Sequence, residues 1–123
     1  MSRRLEVLQW VGLLLGAATW AVAHLVGWGV TEANCSSAGP GFGIHLDLWE
    51  GVALGLAEVL VLGAAAASVV VLRLTAGSSY EGEPPDGRIR FFAIAALLAN
   101  VLFAVMIALY AAGSIANIAC RQA

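Results

Sequence analysis

The chain has 123 residues, 61% of them hydrophobic and 11% charged, with a mean hydropathy of +0.89 and a formal charge of −2. That balance argues against a soluble domain, whose helices keep a polar face, and the small negative charge argues against a nucleic-acid surface or an anionic-lipid patch. What remains is one small all-α membrane domain.

Arg3 and Arg4 precede an apolar run over residues 5–30. A basic pair, an apolar run and Ala21-Val22-Ala23 have the form of a secretory signal. The run is too long for a signal core, however, and Glu6 and Gln9 interrupt it, so the reading is a retained first span. Residues 31–47 read as a loop, because Gly39-Pro40-Gly41-Phe42-Gly43 breaks helix. Asp47-Leu48-Trp49-Glu50 has capping-box spacing and opens a second span over 48–74. Residues 75–90 are a polar, mobile link with Asp86 placed to cap the third helix. The third span is 91–115, and 116–123 is a tail. Each span has roughly 25 residues, enough to cross a hydrocarbon core of about 30 Å.

Five of the six basic residues fall on one side of these spans: Arg3, Arg4, Arg73, Arg88 and Arg90. The positive-inside rule makes that side cytoplasmic, with the N-terminus inside and the C-terminus outside. Cys35 in the loop and Cys120 in the tail then share the outer face. In a bacterium that space is oxidising, so the expectation is a Cys35–Cys120 disulfide in a protein of the inner (cytoplasmic) membrane. Copper held between the two cysteines is the alternative; such sites usually add Met or His, but Met106 lies within the membrane and His45 is close only in sequence, so the disulfide is preferred. Trp10, Trp28, Trp49 and Tyr80 lie near span ends, where amphipathic rings settle at headgroup level.

Helices in lipid associate through small residues that let backbones approach. Steps of four residues pick out Gly12, Gly16, Trp20, His24 and Trp28 in the first span, and Gly51, Gly55, Val59, Gly63 and Ala67 in the second. In the third they pick out Ala96, Asn100, Ala104, Ala108 and Ala112. These are the expected packing seams of a three-helix bundle, or seats for a partner's helices.

His24 and Glu58 are the ionisable residues inside spans, where such groups are costly and face protein or water. Counted from the outer face they lie at similar depth, with Tyr110 approaching that layer and Asn100 near the midplane. The preferred reading is a hydrogen-bonded His24–Glu58 pair that fixes helix register. The alternatives are a proton relay, contact with a quinone headgroup, or haem ligation by His24, which would need a second protomer for a second histidine. His45 and Asp47, with Glu32 and Glu50 nearby, are weak candidates for a hard metal, and no spacing matches a specific site. No nucleophile elbow, phosphate loop, HExxH or CxxCH motif occurs, so the reading is a non-enzyme without a cofactor of its own.

Two segments carry a family resemblance. One runs from Gly16 through Trp20, His24 and Glu32 to Cys35; the other is Arg90-Phe91-Phe92, leading to Leu102-Phe103-Ala104 and Cys120. They resemble small uncharacterised bacterial membrane proteins encoded beside haem–copper cytochrome c oxidase genes. The resemblance implies an accessory subunit or assembly factor of a respiratory membrane complex. Its partners would be larger membrane subunits, lipid and a cytochrome c at the outer face, with no nucleic acid. The alternatives are a small haem- or copper-binding membrane protein, or a homo-oligomer that conducts protons past Glu58.

Overall fold

The computed structural model describes residues 3–35, 45–79, 81 and 84–116. They form three helices, α1 (Arg3–Cys35), α2 (Leu46–Leu74) and α3 (Asp86–Ala116). All three are long and apolar enough to cross a membrane. Their 33, 29 and 31 residues rise by roughly 50, 44 and 46 Å at 1.5 Å per residue. That exceeds a hydrocarbon core of about 30 Å and approaches the full bilayer with its headgroups, about 40–45 Å.

The helices outrun the expected spans because polarity ends a span but does not end a helix. Thr31–Glu–Ala–Asn–Cys35 contains no glycine or proline, so α1 continues to Cys35 and absorbs residues expected in the loop. At the start of α2 the cap is His45, not Asp47; it makes no side-chain cap bond, and its carbonyl accepts from the Trp49 N–H at 3.0 Å. The expected capping box fails because Glu50 is buried and turned toward α1. Asp86 is the first residue of α3, and the Ile89 N–H donates to the Pro85 carbonyl at 3.1 Å. The side chains of Asp47 and Asp86 lie outside what the structure describes.

The link after α2 is folded where it is described. Thr75 donates its hydroxyl to the Val71 carbonyl at 2.8 Å. Arg90 then reaches back from α3, and its Nη1 donates to the carbonyls of Thr75, Ala76 and Ser78 at 2.9, 2.7 and 2.6 Å. A guanidinium there satisfies carbonyls of the C-cap and the turn that follows it, and offsets the negative pole of the α2 dipole.

α2 packs against both other helices, and α1 also touches α3. Glu50, Leu54, Ala57, Val61, Ala64, Ser68 and Val71 form the main buried row of α2, continued by Thr75 after its end, with Ala67, the last residue of the expected four-residue row, buried beside it. The main row alternates steps of four and three, an average of 3.5. α3 repeats the pattern at Ile89, Ala93, Ala96, Asn100, Phe103 and Ile107, with Phe103 only partly buried. This is the period of left-handed coiled packing.

The expected four-residue seams are therefore only partly realised. Gly12 and Gly16 are buried, but His24 and Trp28 farther along the same row are exposed. Gly51, Gly55 and Gly63 are exposed, and a Cβ added at any of them would meet nothing within 4 Å. Ala96 and Asn100 are buried, Ala104 is intermediate, and Ala108 and Ala112 face outward. The reason is geometric. A step of four residues advances about 400°, so such a row drifts by about 40° per step and leaves the interface within a few turns. A 3.5-residue row drifts only about 20° per seven residues and stays in contact.

The tightest crossing joins all three helices. Asn100, 1% exposed, donates its amide to the Gly12 carbonyl at 2.7 Å. A Cβ built on Gly16 would overlap the Asn100 side-chain oxygen, and one built on Gly12 would lie 2.5 Å from the Ser68 hydroxyl. Ser68, also 1% exposed, donates to the Ala64 carbonyl within its own helix at 3.0 Å. Gly16→Ala should thus displace Asn100 and cost about 1–3 kcal/mol, the range for overpacking. Asn100→Ala should cost about 0.5–2 kcal/mol, as for other interhelical bonds in membranes. Gly63→Ala, by contrast, should leave stability unchanged or slightly raised. Graded unfolding in mixed micelles orders the three variants; equal losses at Gly16 and Gly63 would contradict this packing.

Candidate functional site

The two ionisable side chains expected to pair sit on different sides of the bundle. His24 is exposed on α1, and its imidazole lies flat against Trp20, with ring centroids 5.7 Å apart and planes 12° apart. The edge of Tyr110 from α3 closes the other side, 5.8 Å away at 68°. Trp20 in turn stacks on Phe103 of α3 at 5.6 Å. The imidazole is thus held in an aromatic corner at the α1–α3 boundary. A void of about 10 Å³ lies beneath it, between Trp20, His24, Leu54, Ile107 and Tyr110; that is room for about one water.

Glu58 lies elsewhere. At about 100° per residue it is turned roughly 80° from both Glu50 and Ser68, away from the centre of the buried stripe of α2. Ala53, Leu56 and Leu60, on the far side of α2, line a groove with α1. Glu58 is on the flank opposite that groove. Its Oε2 is buried and has no hydrogen-bond partner. Among the described residues no hydrogen bond joins it to His24, so the expected pair is not formed. Similar depth along two helices does not make neighbours; azimuth also has to agree, and here it does not.

The acid that does find a partner is Glu50. It is 8% exposed and accepts the Thr31 hydroxyl at 2.9 Å. Tyr110 lies within electrostatic reach of the same carboxylate. Glu50 thus ties the Cys35 end of α1 to the start of α2, a role its sequence position as a capping residue hid. Thr31 was missed because it stood just past the apolar run. The one available signal was the heptad phase of α2, which puts Glu50 in register with Leu54 and Val61 and turns it inward.

The remaining candidates separate as follows. Cys35 is the last residue of α1, not a loop residue, and Cys120 lies outside the described residues, as does Tyr80. His45 is exposed at the N-cap of α2, and Glu50 is engaged by Thr31. Among the described residues no group of three or more His, Cys, Asp or Glu side chains is placed to hold a metal ion. Arg90, expected only as a topological charge, is a helix cap whose Nε is buried without a partner.

No family model matches the chain, and no match is found among curated proteins or solved structures.

The Thr31–Glu50 contact has a direct check. Thr31→Val removes the donor and leaves a buried carboxylate oxygen unsatisfied, which should cost about 1–3 kcal/mol. Glu50→Gln keeps an acceptor for Thr31 and should cost about 1 kcal/mol or less. Thermal unfolding in detergent, followed by helical circular dichroism, should rank Thr31→Val as the less stable of the two.

Proposed function

We propose that the chain is a non-catalytic accessory subunit or assembly factor of a larger membrane complex. The observation that carries this reading is the Glu58 oxygen, buried inside a span with no donor among the described residues. A carboxyl group in hydrocarbon is costly unless something pairs with it. The open flank beside it carries Gly51, Gly55 and Leu62, two of them without a Cβ, so a partner's helix can approach the backbone closely. Glu58 as a whole is only partly buried, so a donor on that helix can approach the part of the carboxylate that the bundle leaves open.

The partner's identity rests on the resemblance of residues 16–35 and 90–120 to proteins encoded beside haem–copper oxidase genes. It points to a respiratory complex related to cytochrome c oxidase, with a cytochrome c as a further contact on the outer face. The arginine distribution supports an N-terminus in the cytoplasm of a bacterium and a C-terminus outside its inner membrane. A Cys35–Cys120 disulfide would then brace the outer ends of α1 and the tail beyond α3. Alkylation of the intact protein with and without reductant tests the pairing: no thiol should react until reductant is added.

Purification from native membranes in mild detergent, with mass spectrometry, tests the main reading. Oxidase subunits should accompany the chain in fixed ratio. Glu58→Leu should leave the isolated chain at least as stable, since no internal bond is lost, while reducing the recovered partner about tenfold, the effect of one polar contact. A single band from wild-type membranes would overturn the accessory reading. If that band is a stable homo-oligomer whose proton flux in liposomes is lost in Glu58→Gln, the conducting alternative takes its place.

A further inference from the structure

We propose that the corner formed by Trp20, His24 and Tyr110 binds the headgroup of a lipid-soluble quinone. The proposal does not depend on the accessory reading, which rests on Glu58 and a different side of the bundle.

The first observation is the state of His24. It lies within a helix long and apolar enough to span a membrane, its side chain is exposed, and its contacts among the described residues are the two aromatic rings. Among the described residues nothing hydrogen-bonds its ring nitrogens. In hydrocarbon neither lipid tails nor bulk water supply such a bond, so a ligand that dissolves in the bilayer and carries hydrogen-bonding groups has a clear advantage there.

The second observation is shape. The imidazole is fixed by a near-parallel stack on one side and a ring edge on the other, so a ligand meets a preset donor or acceptor. Tyr110 lines the same corner with its ring while its hydroxyl lies over Gly27, about one turn beyond His24, and Met106, 44% exposed, forms an apolar, polarisable wall beside it. A flat ring bearing carbonyl oxygens fits these demands. Its oxygens accept from an imidazole N–H and a phenol O–H, its face lies against aromatic and thioether surface, and its apolar tail stays among the lipids.

The geometry favours a ring lying on the surface over a macrocycle sunk between helices. The void beneath His24 holds about 10 Å³, and Leu54 and Ile107, both buried, form its floor. Haem would need a slot much larger than that, and bis-histidine ligation would need a second histidine, which the sequence places in no other span.

The test uses the full-length protein in lipid nanodiscs with decylubiquinone as the probe. Quinones quench indole fluorescence, and a Trp10→Phe, Trp28→Phe, Trp49→Phe background leaves Trp20 as the sole reporter. Quenching should saturate, and His24→Leu should weaken binding about tenfold or more, the loss of one hydrogen bond to a polar partner. Tyr110→Phe should weaken it less, and His24→Gln, which keeps hydrogen-bonding capacity, should retain most of the affinity. Quenching that fails to saturate, or that is unchanged in a folded His24→Leu protein, would overturn the proposal. So would a His24-dependent haem absorption band after haemin addition without saturable quinone binding. A photoreactive azidoquinone on the wild-type chain gives a second readout that needs no tryptophan variants. Adducts should concentrate on residues 19–27 and 103–111, and adducts spread evenly over the exposed helix faces would count against the site.

Discussion

Close approach of backbones at one crossing holds this bundle together. Between helices in hydrocarbon, burying leucine gains little, because the surrounding lipid is equally apolar. Association has to come from contact at short range and from polar bonds that lipid cannot offer. Gly12 and Gly16 provide the first by removing side chains where α1 meets its neighbours, and Asn100 provides the second by donating into the gap to the Gly12 carbonyl. The two are linked: Asn100 fits only because Gly16 has no Cβ. Ser68 completes the crossing from α2 with a hydroxyl that satisfies itself on its own helix and so carries no unmet demand into the interface.

The other polar side chains divide by whether the chain itself answers them. Thr31 answers Glu50 at one end of the bundle, and Arg90 answers three carbonyls of the turn that follows α2 at the other. These contacts close the two ends. Glu58 and His24 are not answered internally, and they sit on different flanks, one beside α2's open glycines and one in the aromatic corner between α1 and α3. A bundle that leaves these two side chains open among its described residues is suited to contacts beyond its own chain, on two separate surfaces.

The three helices were legible in the sequence because apolar length is a strong and nearly unambiguous signal. Asn100 in the third seam and Gly12 and Gly16 in the first were legible because a polar or missing side chain in the middle of a span has few other uses. The faces were less legible. Glycines spaced by four look like a seam in both α1 and α2, yet only those of α1 are buried, because α2 packs on the 3.5-residue row containing Leu54, Ala57, Val61 and Ala64. That row mixes large and small residues and so hides among other apolar positions. The His24–Glu58 pair failed for a related reason: depth can be counted along a sequence, but azimuth depends on how each helix is rotated, which only packing determines. Helix ends were misplaced wherever charge or polarity was taken as a stop signal, as at Thr31 and Asp47.

The Arg90 cap bears on how such a chain enters a membrane. By bonding three carbonyls just after α2, it ties the start of α3 to the end of α2 through contacts that involve no residue of α1. Two helices joined this way can partition into a bilayer as one unit, since the polar turn carries its own counter-charge and stays at the surface. α1, whose buried glycines complement an already formed groove, can dock afterward. The same arginine is therefore a clasp, and its position along the sequence is constrained by the geometry of the bend.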